Sequence, residues 1–573
     1  MHMKKAFGLL FLITVILLGA IVYCALVCEK QVYYLELSGP GELFFYDRKH
    51  DIRFPGKEMD GVTYFFLPSY INTESIIQSS ETNRIFISNG HILDNARYGE
   101  IQDIYVDYGD GTRIPWKICF MRSANLYSAF IFLDSKTYWD IDRSAYSDAS
   151  IAIYDPVGDK EYIDKSILIK GRGNSSWQAK RPFEIKTSYD VPLCGLKPSD
   201  KWVLLSNYLD PTLMMNHLMF ELSDKMGIEN TTDSEWMDLY INNEYVGNYL
   251  ICKEPQDGFS SGFLIKKDLY DSYEKHTERF SINENDNSGF ILVFPRNSDA
   301  DLLNDIKGYI TIVDERIKQE CFDTELLDIP SFAKRYLLEE FIYNTDSMAR
   351  SYYFYGNDFD GKLHAGPCWD YDQAGGFDTS EDYFLDYDYS VVEASVNEWG
   401  AENVLCWDAL LLSDPLYREE VCRIYSEYYP FFEEAVFETI PEYQCLLEQS
   451  AAMDYMIWKD SRKKYETYQD NVRYLRFFLH HRLRYLSEML SADVNVPELN
   501  LSNNQRHTVS FIFPGRENEN ITVNDGDEIR ESLLPQYDPK LYYWENLDRN
   551  YVYYSPFVPI YEDTRYILET ADQ

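Results

Sequence analysis

No two of the ten cysteines form a Cys-x-x-Cys pair, and their spacings are irregular. Structural zinc cages need paired ligands at short regular intervals, so this pattern argues against a zinc site. Cys24 and Cys28 fall in or beside an apolar run. The other eight are too dilute for a disulfide scaffold, and most of them read as small buried apolar residues. Positive charge is also scarce: 53 Lys and Arg stand against 95 Asp and Glu, a net charge of −42. A polyanionic surface repels phosphate backbones and anionic lipid heads, so nucleic acid is not an expected partner. The acidity is first read as solubility in an exposed compartment.

One long run carries no charge. Residues 6–28 follow Lys4 and Lys5 and, at about 1.5 Å per residue, are long enough to span a bilayer core. The basic flank assigns residues 1–5 to the cytoplasm and everything after Glu29 to the extracellular face. The expectation is a transmembrane signal-anchor that makes the membrane a partner. A cleaved signal peptide, and hence a secreted protein, is the alternative.

The chain is otherwise rich in core-forming residues: 45% are hydrophobic and 49 are Tyr. Its 573 residues allow two to four domains. Residues 30–115 alternate as short strands such as VYYLELSG, TYFFLP and DIYVDYGDG, and predict a β-rich module. Strands continue from about residue 116. Asp210 and Pro211 are then expected to start a helix over 211–226, which Gly227 ends. A hairpin around Asn242-Asn243 comes next. FAKRYLLEEFIYN, residues 404–429 and residues 453–490 have helical periodicity. Strands first and helices later predict an α+β fold with a sheet-rich lobe leading into a helical lobe. Residues 506–570 return to strand; V-x-D-G-D, Trp544 and E-D-T resemble a β-grasp-like bacterial surface repeat.

Two segments carry candidate chemistry. In IKGRGNSSWQAKRPFEIK, residues 169–186, Gly171 and Gly173 lie in a turn between strands, where backbone can approach an anion closely. Arg172, Lys180 and Lys186 add positive charge, as a triphosphate requires. The bland reading is a hairpin with a basic rim. In residues 343–376, Asp346 precedes a hairpin and Asp370 comes after it, in Cys368-Trp369-Asp370-Tyr371-Asp372. Two carboxylates at one hairpin end suit phosphoryl transfer, where one orients a hydroxyl and one holds Mg²⁺. The bland reading is acids that cap turns.

GRGNSSW, KWVLLSNYLD, YINNEYVGNYLICKE and GKLHAGPCWDYD occur in this order. Together they resemble the signature blocks of the CotH family, over roughly residues 116–490. Members of that family are similar to protein kinases in fold, and some phosphorylate secreted or spore-coat proteins on Ser or Thr. The resemblance implies ATP and Mg²⁺ (or Mn²⁺) as cofactors and an extracellular or envelope protein as substrate. It implies Asp346 as catalytic base, Asp370 as main metal ligand and Lys186 on the α- and β-phosphates. Glu221 is the acid assigned to pair with that lysine. Two positions depart from the pattern. Ser351 stands where kinase-like sites carry a second metal-binding Asn, and its hydroxyl can take that role. Met215 stands where the family often has Arg. These departures leave open a catalytically weak pseudokinase serving as a surface scaffold. A glycan-active enzyme has only paired carboxylates in its favour. Helix 453–490, with Lys463, Lys464, Arg473, Arg476, Arg482 and Arg484, reads as a packing helix with a solvated face. A basic docking helix is the alternative. The adjacent His480 and His481 do not share a helix face and make a poor metal site.

Overall fold

The structure is a computed structural model. It describes residues 33–37, 42–71, 84–87, 98–107, 113–134, 136–173, 178–269, 278–282, 289–296, 298–319, 324–357, 361–377, 390–400, 403–459, 461, 465–499, 506–524, 529, 534–536, 542–547, 560 and 563–570.

Two small sheets come first. β1 (Tyr33–Leu37), β2 (Leu43–Asp47) and β3 (Ile52–Pro55) form an antiparallel meander. β4 (Lys57–Met59), β5 (Val62–Leu67), β6 (Arg84–Ile87), β7 (Ile101–Asp107) and β8 (Arg113–Arg122) form a second sheet in the order β4-β5-β8-β7-β6. β8 runs across the expected boundary between residues 115 and 116. These sheets also share a core with later strands of the chain: Phe54, Phe65 and Phe120 pack with Phe130, Tyr154 and Tyr240. The Phe130 and Tyr240 rings stack at 4.6 Å.

The next seven strands close into a barrel. They are β9 (Tyr127–Phe132), β10 (Ser147–Tyr154), β11 (Lys160–Gly171), β12 (Phe183–Val191), β13 (Ser199–Leu205), β14 (Ser234–Ile241) and β15 (Glu244–Cys252). The parallel pairing of β14 with β9 closes it, which removes the exposed edges an open sheet would carry. Alternation along the strands sends Ile169, Phe183, Ile185, Trp202 and Leu204 into the barrel core. Lys170, Glu184, Lys186 and Lys201 fall at the intervening positions and face outward. The β14–β15 hairpin turns at Asn242 and Asn243, both left-handed (φ 50° and 68°), as a two-residue hairpin turn requires.

Helix α1 (Met215–Lys225) leaves the barrel and buries Met215, Leu218, Met219 and Leu222. Each such side chain contributes about 1.5–3 kcal/mol of burial. The expected start at Pro211 is corrected. The Asp210 carboxylate accepts the Thr212 amide at 2.7 Å and the Met215 amide at 2.8 Å, holding residues 211–214 in a turn before the helix begins.

A second five-stranded sheet then appears where helices were expected to dominate. β16 (Phe263–Lys267), β17 (Arg279–Phe280), β18 (Phe290–Phe294), β19 (Tyr352–Gly356) and β20 (Leu363–Ala365) run in the order β17-β18-β16-β19-β20. The helices of this region are α2 (Ala300–Lys318), α3 (Ile329–Ile342), α4 (Val391–Trp399), α5 (Trp407–Leu411), α6 (Pro415–Glu434), α7 (Ile440–Ile457) and α8 (Tyr468–Met489); α3 packs against β20, and α7 against β15 of the barrel. Asp299, Asp328, Ser390, Asp414 and Thr467 each accept a backbone N–H in the first turn of the helix they precede. Thr467 starts α8 afresh, so the expected helix 453–490 is the end of α7 and a separate helix. Arg482 on α8 is fully buried against Glu340 at 2.6 Å and does not belong to a solvated basic face. Lys463 and Lys464 lie outside the described residues.

The mixed α+β composition stands, but the expected architecture is corrected. The leading lobe is a closed barrel, and the lobe after it is built on its own sheet rather than on helices alone. The transmembrane helix expected at 6–28 falls outside the described residues, and among the described residues no helix is long and apolar enough to cross a membrane. The C-terminal strands β21 (Arg506–Ile512), β22 (Glu519–Asn524), β23 (Tyr542–Asn546) and β24 (Thr564–Thr570) form a mixed sheet in the order β22-β21-β24-β23. Trp544, Phe511 and Tyr566 lie in its core.

Candidate functional site

Helix α3 ends at Tyr343, whose left-handed backbone turns the chain (φ 58°). Asp346 then organises a turn: its carbonyl accepts the amides of Ala349 at 3.1 Å and Arg350 at 2.9 Å. Its carboxylate accepts from the Arg350 guanidinium at 3.3 Å. The Leu269 amide donates to the Ala349 carbonyl at 2.9 Å and ties the end of β16 to this turn. Ser351 closes it, with φ 48°.

Facing Ser351 is Asp370, five residues beyond β20. The Ser351 hydroxyl donates to Asp370 Oδ2 at 3.1 Å. Asp370 has φ 72°, a conformation that costs a non-glycine residue about 1–3 kcal/mol and persists only where the surroundings impose it. Its carboxylate is open to solvent, yet protein crowds it closely. This desolvation raises its pKa; Ser351, Arg172 and Lys266 oppose the rise and the charge of Asp268 adds to it. Lys266 and Asp268, two residues apart at the end of β16, share a face and pair at 2.9 Å. Asp268 is 3% exposed.

Arg172 approaches from the barrel. It donates to Glu254 at 3.2 Å and its guanidinium carbon lies 5.8 Å from the centre of the Trp369 ring. Its buried Nε has no hydrogen-bond partner among the described residues. Glu254 also pairs with Arg296 at 3.2 Å. Arg296, Lys201, Lys253, Asp257 and Phe259 help line a cavity of about 450 Å³. On the adjoining outer barrel face, Glu184 pairs with Lys170 at 3.3 Å and Lys201 at 3.5 Å. Burial alone would raise Glu184, but the Tyr146 hydroxyl and the two lysines hold it below the usual carboxylate value. Burial and the neighbouring Glu254 push Asp257 up to about 6.

Through the Arg172–Glu254–Arg296 ion pairs, the cavity lined in part by Arg296 thus adjoins a polar site, the candidate cleft, made of the carboxylates of Asp370 and Asp268 and the Ser351 hydroxyl. Residues 167–486 of the chain match the family described as CotH kinase protein. That span is more than half of the sequence. The chain belongs to the CotH kinase protein family. A search of curated proteins found no match.

Within this CotH domain the expected residues fall into two groups. Asp370, Ser351 and Arg172 converge, and Asp346 opens the turn that Ser351 closes. Lys186 faces outward on β12, directly opposite Lys201 of β13. Gly173 takes a left-handed conformation (φ 68°). Gly171 needs no glycine on steric grounds, since an added Cβ would come no closer than 3.5 Å to Arg143.

The structure takes Lys180 and Glu221 away from the cleft. Lys180 is 1% exposed and its ammonium is bound to Asp454 of α7. Burial lowers its pKa even with Asp454 beside it. Glu221 faces α6 and α7: it pairs with Lys225 at 2.9 Å and accepts from the Tyr443 hydroxyl. Burial would raise Glu221, but Tyr443 and Lys225 hold it low. Neither residue faces Lys186. Met215 is fully buried, and its sulfur would lie 2.8 Å from a Cβ placed on Gly375.

The donors fit a hard divalent cation. Asp370, Asp268 and Ser351 offer oxygen only, which suits Mg²⁺ or Mn²⁺. Among the described residues no three His, Cys, Asp or Glu side chains form a ready cage. Mg²⁺ is commonly held by one or two carboxylates plus substrate phosphates and water, so a two-acid set is adequate. Lys266, Asp268, Glu254 and Arg296 were missed by sequence reasoning. The strand FLIKK with Asp268 directly after it was a legible signal, since alternation sends Lys266 and Asp268 to one face.

Proposed function

We propose that this protein is an ATP- and divalent-metal-dependent protein kinase that phosphorylates Ser or Thr hydroxyls on extracellular or envelope proteins. The observation that carries the reading is the contact of Ser351 with the strained Asp370, beside Arg172, Lys266 and Asp268. Asp370, with Asp268 and Ser351, would hold Mg²⁺ or Mn²⁺, which when bound neutralises phosphate charge. Arg172 and Lys266 attract the polyphosphate, and the Arg296-lined cavity takes the nucleoside end. Asp346 accepts the proton of the attacking hydroxyl. The new bond joins that oxygen to the γ-phosphorus, the bond from the γ-phosphorus to the bridging oxygen breaks, and ADP leaves. Lys186 supports the phosphates from the outer barrel face. The C-terminal sheet is read as a β-grasp-like surface repeat that serves as a spacer.

A second reading is a catalytically weak scaffold. The burial of Met215 favours it, because no cation stands where the family often has Arg. The test is transfer of label from γ-labelled ATP to a basic, Ser-rich acceptor protein, with Mg²⁺ or Mn²⁺. Wild type is expected to transfer label, and Asp370→Ala and Asp346→Asn are expected to lose it. ATP-dependent thermal stabilisation without transfer would favour the scaffold. Neither effect with either metal would overturn both nucleotide readings.

A further inference from the structure

We infer that Asn216 is a positioning residue for Asp370, and that Asn207 holds Asn216 in place. The inference rests on the kinase reading and assigns a role to the KWVLLSNYLD block and the start of α1, which that reading leaves without one. Asn216, 3% exposed, stands in the first turn of α1. Its side-chain oxygen accepts the backbone N–H of Tyr371 at 2.8 Å. Its side-chain nitrogen donates to Asn207 Oδ1 at 3.1 Å. Asn207, 2% exposed and left-handed (φ 47°), donates in turn to the Leu213 carbonyl at 3.3 Å. Asp210 locks the same turn through Thr212 and Met215.

The N–H that Asn216 holds belongs to the peptide joining Asp370 to Tyr371. Fixing that peptide fixes the ψ of Asp370, and with φ at 72° this sets the direction of the Cα–Cβ bond that carries the carboxylate, which the Ser351 hydroxyl then contacts. The other grips on the loop act elsewhere. Arg335 donates to the Pro367 carbonyl at 2.9 Å, and the Tyr371 hydroxyl donates to Glu339 at 2.9 Å. Only the Asn207–Asn216 relay, among these contacts, bears on the Asp370 peptide itself. A buried amide in the core also satisfies a backbone donor, so the test must separate the two roles.

The experiment measures Mn²⁺ affinity by the electron paramagnetic resonance of free Mn²⁺, with a non-hydrolysable ATP analogue present. Full-length wild type, Asn216→Ala, Asn207→Ala and the double variant are compared well below their thermal midpoints. Substituting a residue that orients a metal ligand typically weakens binding by about 10–100-fold, and that loss is expected for Asn216→Ala. Asn207 acts through Asn216, so the double variant is expected to bind no more weakly than Asn216→Ala alone. A folded Asn216→Ala that binds Mn²⁺ as wild type does would overturn the inference, as would single effects that add in full. If Asn216→Ala does not fold, Asn207→Ala carries the test, and wild-type affinity in it overturns the inference. Wild type that binds no Mn²⁺ with the analogue overturns the kinase reading itself, and the inference falls with it.

Discussion

Replacing Lys180 with Met decides between two roles for a lysine that comes after a glycine turn. In the fold its ammonium is buried on Asp454, whose carboxylate also accepts the Asn248 amide at 2.8 Å. The Asn248 side chain donates to Ser450 at 3.0 Å, and Ser450 donates to Asp238 at 2.6 Å. Burial pushes Asp238 up to about 6, and Asp454 adds to the rise. The network thus holds two acids and one cation. Removing one partner of a buried pair costs about 3–5 kcal/mol, because the other charge stays behind uncompensated. Unfolding entropy is about 2.1 cal/mol/K per residue, so over the domain of residues 167–486 each kcal/mol shifts Tm by about 1.5 °C and the variant is expected to melt roughly 4–8 °C lower. Adding Asp454→Leu is expected to recover most of the loss, less about 1 kcal/mol for the Asn248 amide left without its acceptor. The assay is thermal unfolding followed by tryptophan fluorescence at pH 7, with ATP binding measured well below the transition. An unchanged Tm with ATP affinity reduced tenfold or more would refute the structural reading and return Lys180 to the phosphates.

The remaining predictions concern neighbouring parts of the same core. Gly247→Ala should destabilise by several kcal/mol in calorimetry, because the added methyl would lie 2.6 Å from Asp454 Oδ2 and 2.8 Å from Lys180 Cε. Glu221→Gln should leave phosphoryl transfer at the wild-type rate; a large loss would mean that Glu221 itself turns toward Asp370 in the working enzyme. His217 is held down to about 4 by burial, with Glu221 opposing. Its stabilising contribution is therefore complete above pH 6.5 and is lost as pH falls from 6.5 to 4, about 3 kcal/mol in all. Asp210 and Asp238, raised to about 6 by burial, act in the opposite sense as pH falls. The difference in urea stability between wild type and His217→Gln should therefore change by about 3 kcal/mol over that window. A constant difference would show that folding does not shift the His217 pKa.

Local pattern was a good guide wherever neighbouring residues decide the structure. Asn242-Asn243 specified the β14–β15 turn, FAKRYLLEEF specified α3, and the hairpin after Asp346 became β19 and β20. The same local view misplaced the start of α1, because Asp210 reads as a helix cap and instead ties a turn. The cleft was legible in part: Asp370, Ser351 and Arg172 sit in segments that carry a glycine turn or paired acids. Lys266 and Asp268 were not singled out: alternation puts them on one face, but what lies across from that face is set by packing between distant elements.

By itself the sequence determined the α+β character, the hairpins, most helices, the scarcity of positive charge and the motif blocks of the CotH family. These arise from side-chain period, turn chemistry and composition, all of which act over a few residues. Tertiary structure alone decided that the first lobe closes on itself, because the β9–β14 pairing joins strands about a hundred residues apart. It alone decided that Lys180 turns inward to Asp454, 274 residues away, while Arg172, eight positions earlier, pairs with Glu254. A buried charge goes where its counter-charge is, and that position is set by packing between distant elements rather than by the spacing of the motif.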